Sequence, residues 1–120
     1  MSAALHTLQV LLEQAQAERD QAQRALAEML ARARAAQTQA DSLLQYRSEY
    51  EQRWGTEFAS GGGSVEILQC YQNFSGRLEE AITSQGQRAL QAEQRVEAAR
   101  TRLGELEMRV ASITKLIERR

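Results

Sequence analysis

The sequence predicts an all-α fold, a long two-helix antiparallel coiled-coil hairpin, on three observations. The 120 residues include no proline, 5% are aromatic and 26% charged. A chain dominated by Ala, Gln, Glu, Arg and Leu has the composition of long helices rather than of a compact core. Apolar residues recur at alternating steps of three and four through two long stretches. A single glycine-rich segment separates them into nearly equal arms.

The first helix is expected over about residues 3–54. Its steps give Leu5, Leu8, Leu12, Ala15, Arg19, Ala22, Leu26, Met29, Ala33, Ala36, Ala40, Leu43, Arg47, Tyr50 and Trp54, all apolar except two. Ser2 is positioned to cap its start. The segment from about 55 to 63 is the loop, because the successive glycines Gly61, Gly62 and Gly63 carry a large entropic cost in a helix. Ser64 then serves as N-cap of the second helix, about residues 64–119, with Glu66 in the first turn complementing the helix dipole. Its steps give Leu68, Tyr71, Ser75, Leu78, Ile82, Gln85, Ala89, Ala92, Val96, Ala99, Leu103, Leu106, Val110, Ile113 and Ile117, again all apolar except two. A mean step of 3.5 residues over about seven heptads specifies a left-handed coiled coil. Each arm would measure roughly 75 to 85 Å at about 1.5 Å per residue. The whole of residues 1–120 is read as one coiled-coil domain.

Folding the arms back on each other sets Trp54 against Leu68, Ala33 against Ala89 and Leu12 against Val110. Arg47 then falls opposite Ser75, so two of the four polar seam positions share one layer, as a register-setting polar layer requires. The same stripes would also serve a dimer in which the loop straightens or arms exchange.

Charge excludes several function classes. The formal net charge is -1, the signs are interspersed, and no block of like charge marks a nucleic-acid or anionic-membrane surface. Apolar runs of three residues or fewer fall far short of the roughly twenty a membrane span needs. The start, Met1-Ser2-Ala3-Ala4-Leu5-His6, has neither the basic opening nor the apolar stretch of a secretory signal. A cytoplasmic location is expected, and the lone Cys70 fits a reducing compartment. His6 is the sole histidine, Cys70 has no histidine beside it, and no phosphate-binding glycine motif or metal-ligand spacing occurs, so no catalytic residue, metal or cofactor is expected. Acid and base pairs such as Glu28 and Arg32, four residues apart, read as solvated helix faces.

The aromatics carry the informative pattern. Tyr46, Tyr50, Trp54, Phe58, Tyr71 and Phe74 all lie between positions 46 and 74, at the loop end of the hairpin. Tyr50, Trp54 and Tyr71 occupy the seam. Tyr46 and Phe74 stand one position off it and, with Leu43, Leu78 and Ala81, widen the apolar stripe beyond what a two-stranded seam covers. Such a surface is a candidate protein-binding patch.

The run Leu43-Leu44-Gln45-Tyr46-Arg47-Ser48-Glu49-Tyr50-Glu51-Gln52-Arg53-Trp54, followed across the loop by Leu68-Gln69-Cys70-Tyr71-Gln72-Asn73-Phe74-Ser75-Gly76-Arg77-Leu78-Glu79-Glu80-Ala81-Ile82, resembles the bacterial flagellar export protein FliJ family. The shared pattern is Leu, two spacers, Tyr, three spacers, Tyr, a loop, then Tyr, two spacers, Phe, three spacers, Leu-Glu and Ala-Ile. It covers about forty residues, and the flanking arms match in kind. The resemblance implies a non-enzymatic stalk of the flagellar type III export apparatus, similar to the rotor shaft of rotary ATPases. Its partners would be the hexameric export ATPase ring, entered by the end carrying both termini, the cytoplasmic domain of the export-gate membrane protein, and export chaperones. Nucleic acid would not be a partner, and association with the inner-membrane export apparatus would be peripheral. The gate-binding surface carries over to Gln39, Leu43, Tyr46, Tyr50, Phe74, Leu78, Ala81 and Gln85. Arg19, Arg100, Arg102 and Arg109 are expected to make weak polar contacts with the ring interior. Two alternatives share the fold: the stalk of an injectisome, and a general coiled-coil scaffold or oligomerisation module.

Overall fold

The computed structural model describes residues 2–119, which form two helices, α1 (Ser2–Ala59) and α2 (Val65–Glu118), paired antiparallel as a hairpin. Side chains are described from Ala3 onward, so the cap expected at Ser2 lies outside the described side chains.

Burial follows the 3.5-residue pattern. The most enclosed residues, Ala15, Ala22, Ala33, Leu78, Gln85, Ala89, Val96 and Leu106, all lie on the two seams. Every other seam residue is half-buried except Leu68, which remains 41% exposed. Burying a Leu or Val side chain such as Leu106 or Val96 is worth about 1.5–3 kcal/mol. Trp54 sets its ring against Tyr71, with centroids 5.3 Å apart, rather than sheltering Leu68, because two facing rings bury more surface than a ring and an aliphatic chain.

α1 does not end at Trp54. It continues through Gly55 to Ala59, one turn beyond the end expected from the seam. The gain comes from Phe58, half-buried, whose ring stacks on Trp54 at 5.4 Å and meets Tyr71 edge-on at 5.9 Å. That packing exceeds the ~1 kcal/mol cost of one helical glycine.

The turn beyond Ala59 is a Schellman motif. The Gly61 amide donates to the Phe58 carbonyl at 3.1 Å and the Gly62 amide to the Glu57 carbonyl at 3.3 Å, which satisfies carbonyls left orphaned at the helix end. Gly61 holds φ at +82°, a left-handed conformation in which a side chain would be strained. Gly63 is required for a different reason: a Cβ there would stand 2.8 Å from Cε1 of Phe58. The glycine run is therefore a structured turn fitted to the aromatic beside it. Ser64 Oγ then accepts from the Ile67 amide at 3.2 Å, the N-cap contact expected of it, and Glu66 stands in the first turn of α2.

The paired helices divide into two compact units, one from Ala33 to Ala92 around the turn, the other from the stretches up to Arg32 and from Glu93 onward. In the turn unit the Gln85 side chain meets Ala36 and Gln39, and Arg47 meets Glu79. In the second, Arg109 reaches Glu18 at 3.2 Å. No helix among the described residues is long and apolar enough to cross a membrane.

Candidate partner-binding face

In an antiparallel pair, residues immediately preceding the first seam position of each heptad line the same edge on both helices. In the turn unit that edge is formed by Gln39 and Tyr46 from α1 and by Phe74 and Ala81 from α2. All four are exposed, Tyr46 at 45% and Phe74 at 38%. Beneath them run the seam residues Leu43, Tyr50, Leu78 and Gln85. The hairpin thus assembles the eight residues into an exposed outer row and an inner row.

The inner row is not equally available. Leu43 and Tyr50 are half-buried, whereas Leu78 and Gln85 are only 7% and 8% exposed. Their side chains face the other helix, so they lie beneath the face and support it. The cause is their place on the seam, where interhelical packing takes precedence over exposure.

The six aromatics form one connected cluster. Tyr50 is its hub, with ring centroids 4.6 Å from Phe74, 5.6 Å from Tyr71, 5.9 Å from Trp54 and 6.1 Å from Tyr46. Tyr46 also meets Phe74 at 6.1 Å across the helices. The rings hold one another in fixed positions, and a preorganised aromatic surface loses little conformational freedom when a partner covers it. Toward the turn the edge continues into a recess of about 370 Å³ lined by Tyr50, Arg53, Trp54, Glu57, Gly62 and Ile67. The contribution of Phe58 was detectable only as an i, i+4 aromatic pair with Trp54, because the seam steps pass over position 58.

Two polar devices set the register beside the face. Gln85 Nε2 donates to the Ala36 carbonyl at 3.2 Å and to Gln39 Oε1 at 3.1 Å. Both amide hydrogens of a buried side chain are thereby used at one longitudinal position. Arg47 sits on the seam but sends Nη1 to both Glu79 oxygens, at 2.9 and 3.1 Å. The expected polar layer of Arg47 with Ser75 is realised one turn further along α2, since a carboxylate is a stronger partner for guanidinium than a hydroxyl. Hydrogen bonding to Glu79, and then its negative charge, raise the Arg47 pKa above its ordinary value. Replacing Gln85 by Leu is expected to raise the melting temperature, since a buried polar residue gives way to an apolar one. It should also loosen specificity, with dimers or shifted registers appearing in sedimentation. A lower melting temperature with a homogeneous monomer would contradict this.

The four arginines expected to meet a ring all fall in the other unit, but not on one surface. Arg102 and Arg109 share an edge of α2 one heptad apart, Arg100 stands on the opposite edge, and Arg19 lies in the seam. Arg19 is held by Asp20 Oδ1 through Nε and Nη2 at 3.1 and 3.0 Å. Arg100 approaches Glu97 at 3.6 Å, Arg102 approaches Glu105 at 3.9 Å, and Arg109 bonds Glu18. Cys70 is exposed. No cluster of His, Cys, Asp or Glu suited to a metal ion occurs among the described residues.

A helical hairpin carrying an exposed aromatic edge near its turn is what the FliJ resemblance led us to expect. A family model described as flagellar FliJ protein matches residues 5–120. No curated protein and no solved structure matches the chain. The family match takes in both helices, the turn and all of the aromatic face, and the chain belongs to the flagellar FliJ family.

Proposed function

We propose that this chain is the stalk and coupling component of flagellar protein export, binding the export gate through its aromatic edge and the export ATPase ring through the unit that holds both chain ends. Membership of the family carries a flagellar export-related, non-catalytic role. The observation that supports the more specific role is the exposure of Tyr46 and Phe74 on a ring cluster anchored by Tyr50. Gln39, Leu43, Tyr46, Tyr50, Phe74 and Ala81 form the contact surface for the cytoplasmic domain of the gate protein, with Leu78 and Gln85 holding it from below.

Arg19, Arg100, Arg102 and Arg109 make the ring contacts. Arg100, Arg102 and Arg109 are more than half-exposed, and exposed ion pairs are worth about 0–1 kcal/mol each. Contacts of that strength suit a shaft passing between equivalent ring subunits, because a deep anchor on one subunit would hold it there. Export chaperones are further partners, and the chain works at the cytoplasmic side of the inner membrane without entering it.

The test is the hydrolysis rate and oligomeric state of the cognate flagellar export ATPase with and without this protein, whose own mass is measured in the same sedimentation run. Faster hydrolysis with ring assembly, produced by a monomeric chain, is the expected result. A tight dimer of this chain that leaves the ATPase unaffected would make it a coiled-coil oligomerisation module instead.

A further inference from the structure

The unit holding both chain ends carries a regular row of arginines. Arg95, Arg102 and Arg109 recur at seven-residue intervals on α2, each directly before a seam residue, Val96, Leu103 or Val110. They therefore stand on one edge at steps of about 10.5 Å. On α1 the matching edge carries Glu18 and Arg32, two heptads apart. The 3.2 Å bond between Arg109 and Glu18 shows that the two edges face each other. Two heptads toward the turn on each helix, the same register opposes Arg95 to Arg32, like charge to like, where an ion pair would otherwise form.

Internal carboxylates leave this part of the row under-neutralised. Arg32 is paired with Glu28 on its own helix, Arg102 has Glu105 no nearer than 3.9 Å, and Arg95 forms no ion pair among the described residues. Between the arginines the surface is low, with Ala25 and Ala98 exposed and presenting nothing longer than a methyl group. Small side chains allow a third helix to approach at the short end of the 8–10 Å interaxial range.

We infer that this edge is the docking groove of an acidic helix from a partner protein, whose carboxylates recur at heptad spacing and pair with Arg32, Arg95 and Arg102. The complementarity lies in spacing as well as sign: a helix in register meets one guanidinium per two turns, and its carboxylates relieve the opposed Arg32 and Arg95. A nucleic-acid strand fits less well, since its phosphates recur about every 3.4 Å, and no aromatic side chain flanks the row for bases to stack on. Arg102 and Arg109 are shared with the proposed ring contacts, whereas Arg32 and Arg95 are not, so the docking groove is testable at the latter pair.

The experiment is fluorescence anisotropy at low salt with the full chain and two labelled helical peptides of roughly four heptads. Both have the same Ala, Gln and Glu content, one with glutamates at seven-residue intervals and the other with them at irregular intervals. The regular peptide is expected to bind about fivefold more tightly, the scale of two exposed charge pairs. The double variant Arg32→Gln, Arg95→Gln is expected to lose that advantage. The double variant Arg24→Gln, Arg34→Gln, with the same change in net charge on other faces, keeps it, and stimulation of the ATPase is unaltered by either pair. Equal binding of the two peptides, equal losses in the two variants, binding of a single-stranded oligonucleotide in preference to the regular peptide, or no peptide binding would each overturn the inference.

Discussion

Tyr50→Ala is expected to destabilise the turn unit by about 2–4 kcal/mol, the largest effect of any single substitution in the aromatic cluster. Four rings lie within 6.1 Å of the Tyr50 centroid, and truncation leaves each of them facing a void that the helix backbones cannot close. Trp54 and Phe74 would keep one neighbour fewer, and Tyr46, on the outer row, would lose its stacked partner on the same helix. The void also removes support from Phe58, whose packing on Trp54 and Tyr71 sustains the last turn of α1. Loss of that turn should appear as a small drop in helical signal before the main transition. Tyr50→Phe keeps the ring and is expected to melt within about 0.5 kcal/mol of the parent, because the Tyr50 hydroxyl makes no hydrogen bond among the described residues. Thermal melting followed by circular dichroism at 222 nm checks both. An alanine variant that melts with the parent would mean that the rings pack independently of their hub.

Tyr46→Ala combined with Phe74→Ala separates binding from folding. Both rings lie at the rim of the cluster, 45% and 38% exposed, and each keeps only part of its surface against other rings. Their joint removal is expected to cost about 1–2 kcal/mol of stability, the value of the aromatic pairs they make with Tyr50 and with each other. Affinity for the cytoplasmic domain of the gate protein should fall much further, by about 30-fold or more, because exposed aromatics at the centre of an interface act as hot spots of about 2 kcal/mol or above. Calorimetric titration of the gate domain, beside a melting curve of the double variant, gives the two numbers. Unchanged affinity in a folded variant would move the gate contact away from this edge. Collapse of the fold would make Tyr46 and Phe74 packing residues and remove the case for the face.

The difference between those two variants was only partly legible in the sequence. Spacing alone put Tyr50 on the seam and Tyr46 and Phe74 one position off it, because a 3.5-residue repeat assigns an azimuth to every residue of a helix. It could not assign depth. Leu78 and Gln85 carry seam spacing as clearly as Leu43 and Tyr50, yet they are nearly enclosed while the latter pair remains half-open. Depth depends on the bulk of what stands across the pair. The rings of Tyr50 and Tyr71 stand together on one stretch of the seam with Phe74 packed beside them, whereas Gln85 lies against the thin Ala36 and bonds its backbone.

By itself the sequence determined the all-α hairpin, its two seams, the glycine turn, the Ser64 cap and the gathering of aromatics at one end. All of these follow from local propensity and from periodicity along a single helix. Only the tertiary structure decided that α1 runs on to Ala59, that Gly63 must admit the Phe58 ring, that Arg47 reaches Glu79 rather than Ser75, and that Arg109 meets Glu18. These outcomes depend on which residues of the second helix stand opposite those of the first. Interhelical distance and register are set by the sum of side-chain volumes and polar pairings across the seam, a quantity that neither helix specifies alone.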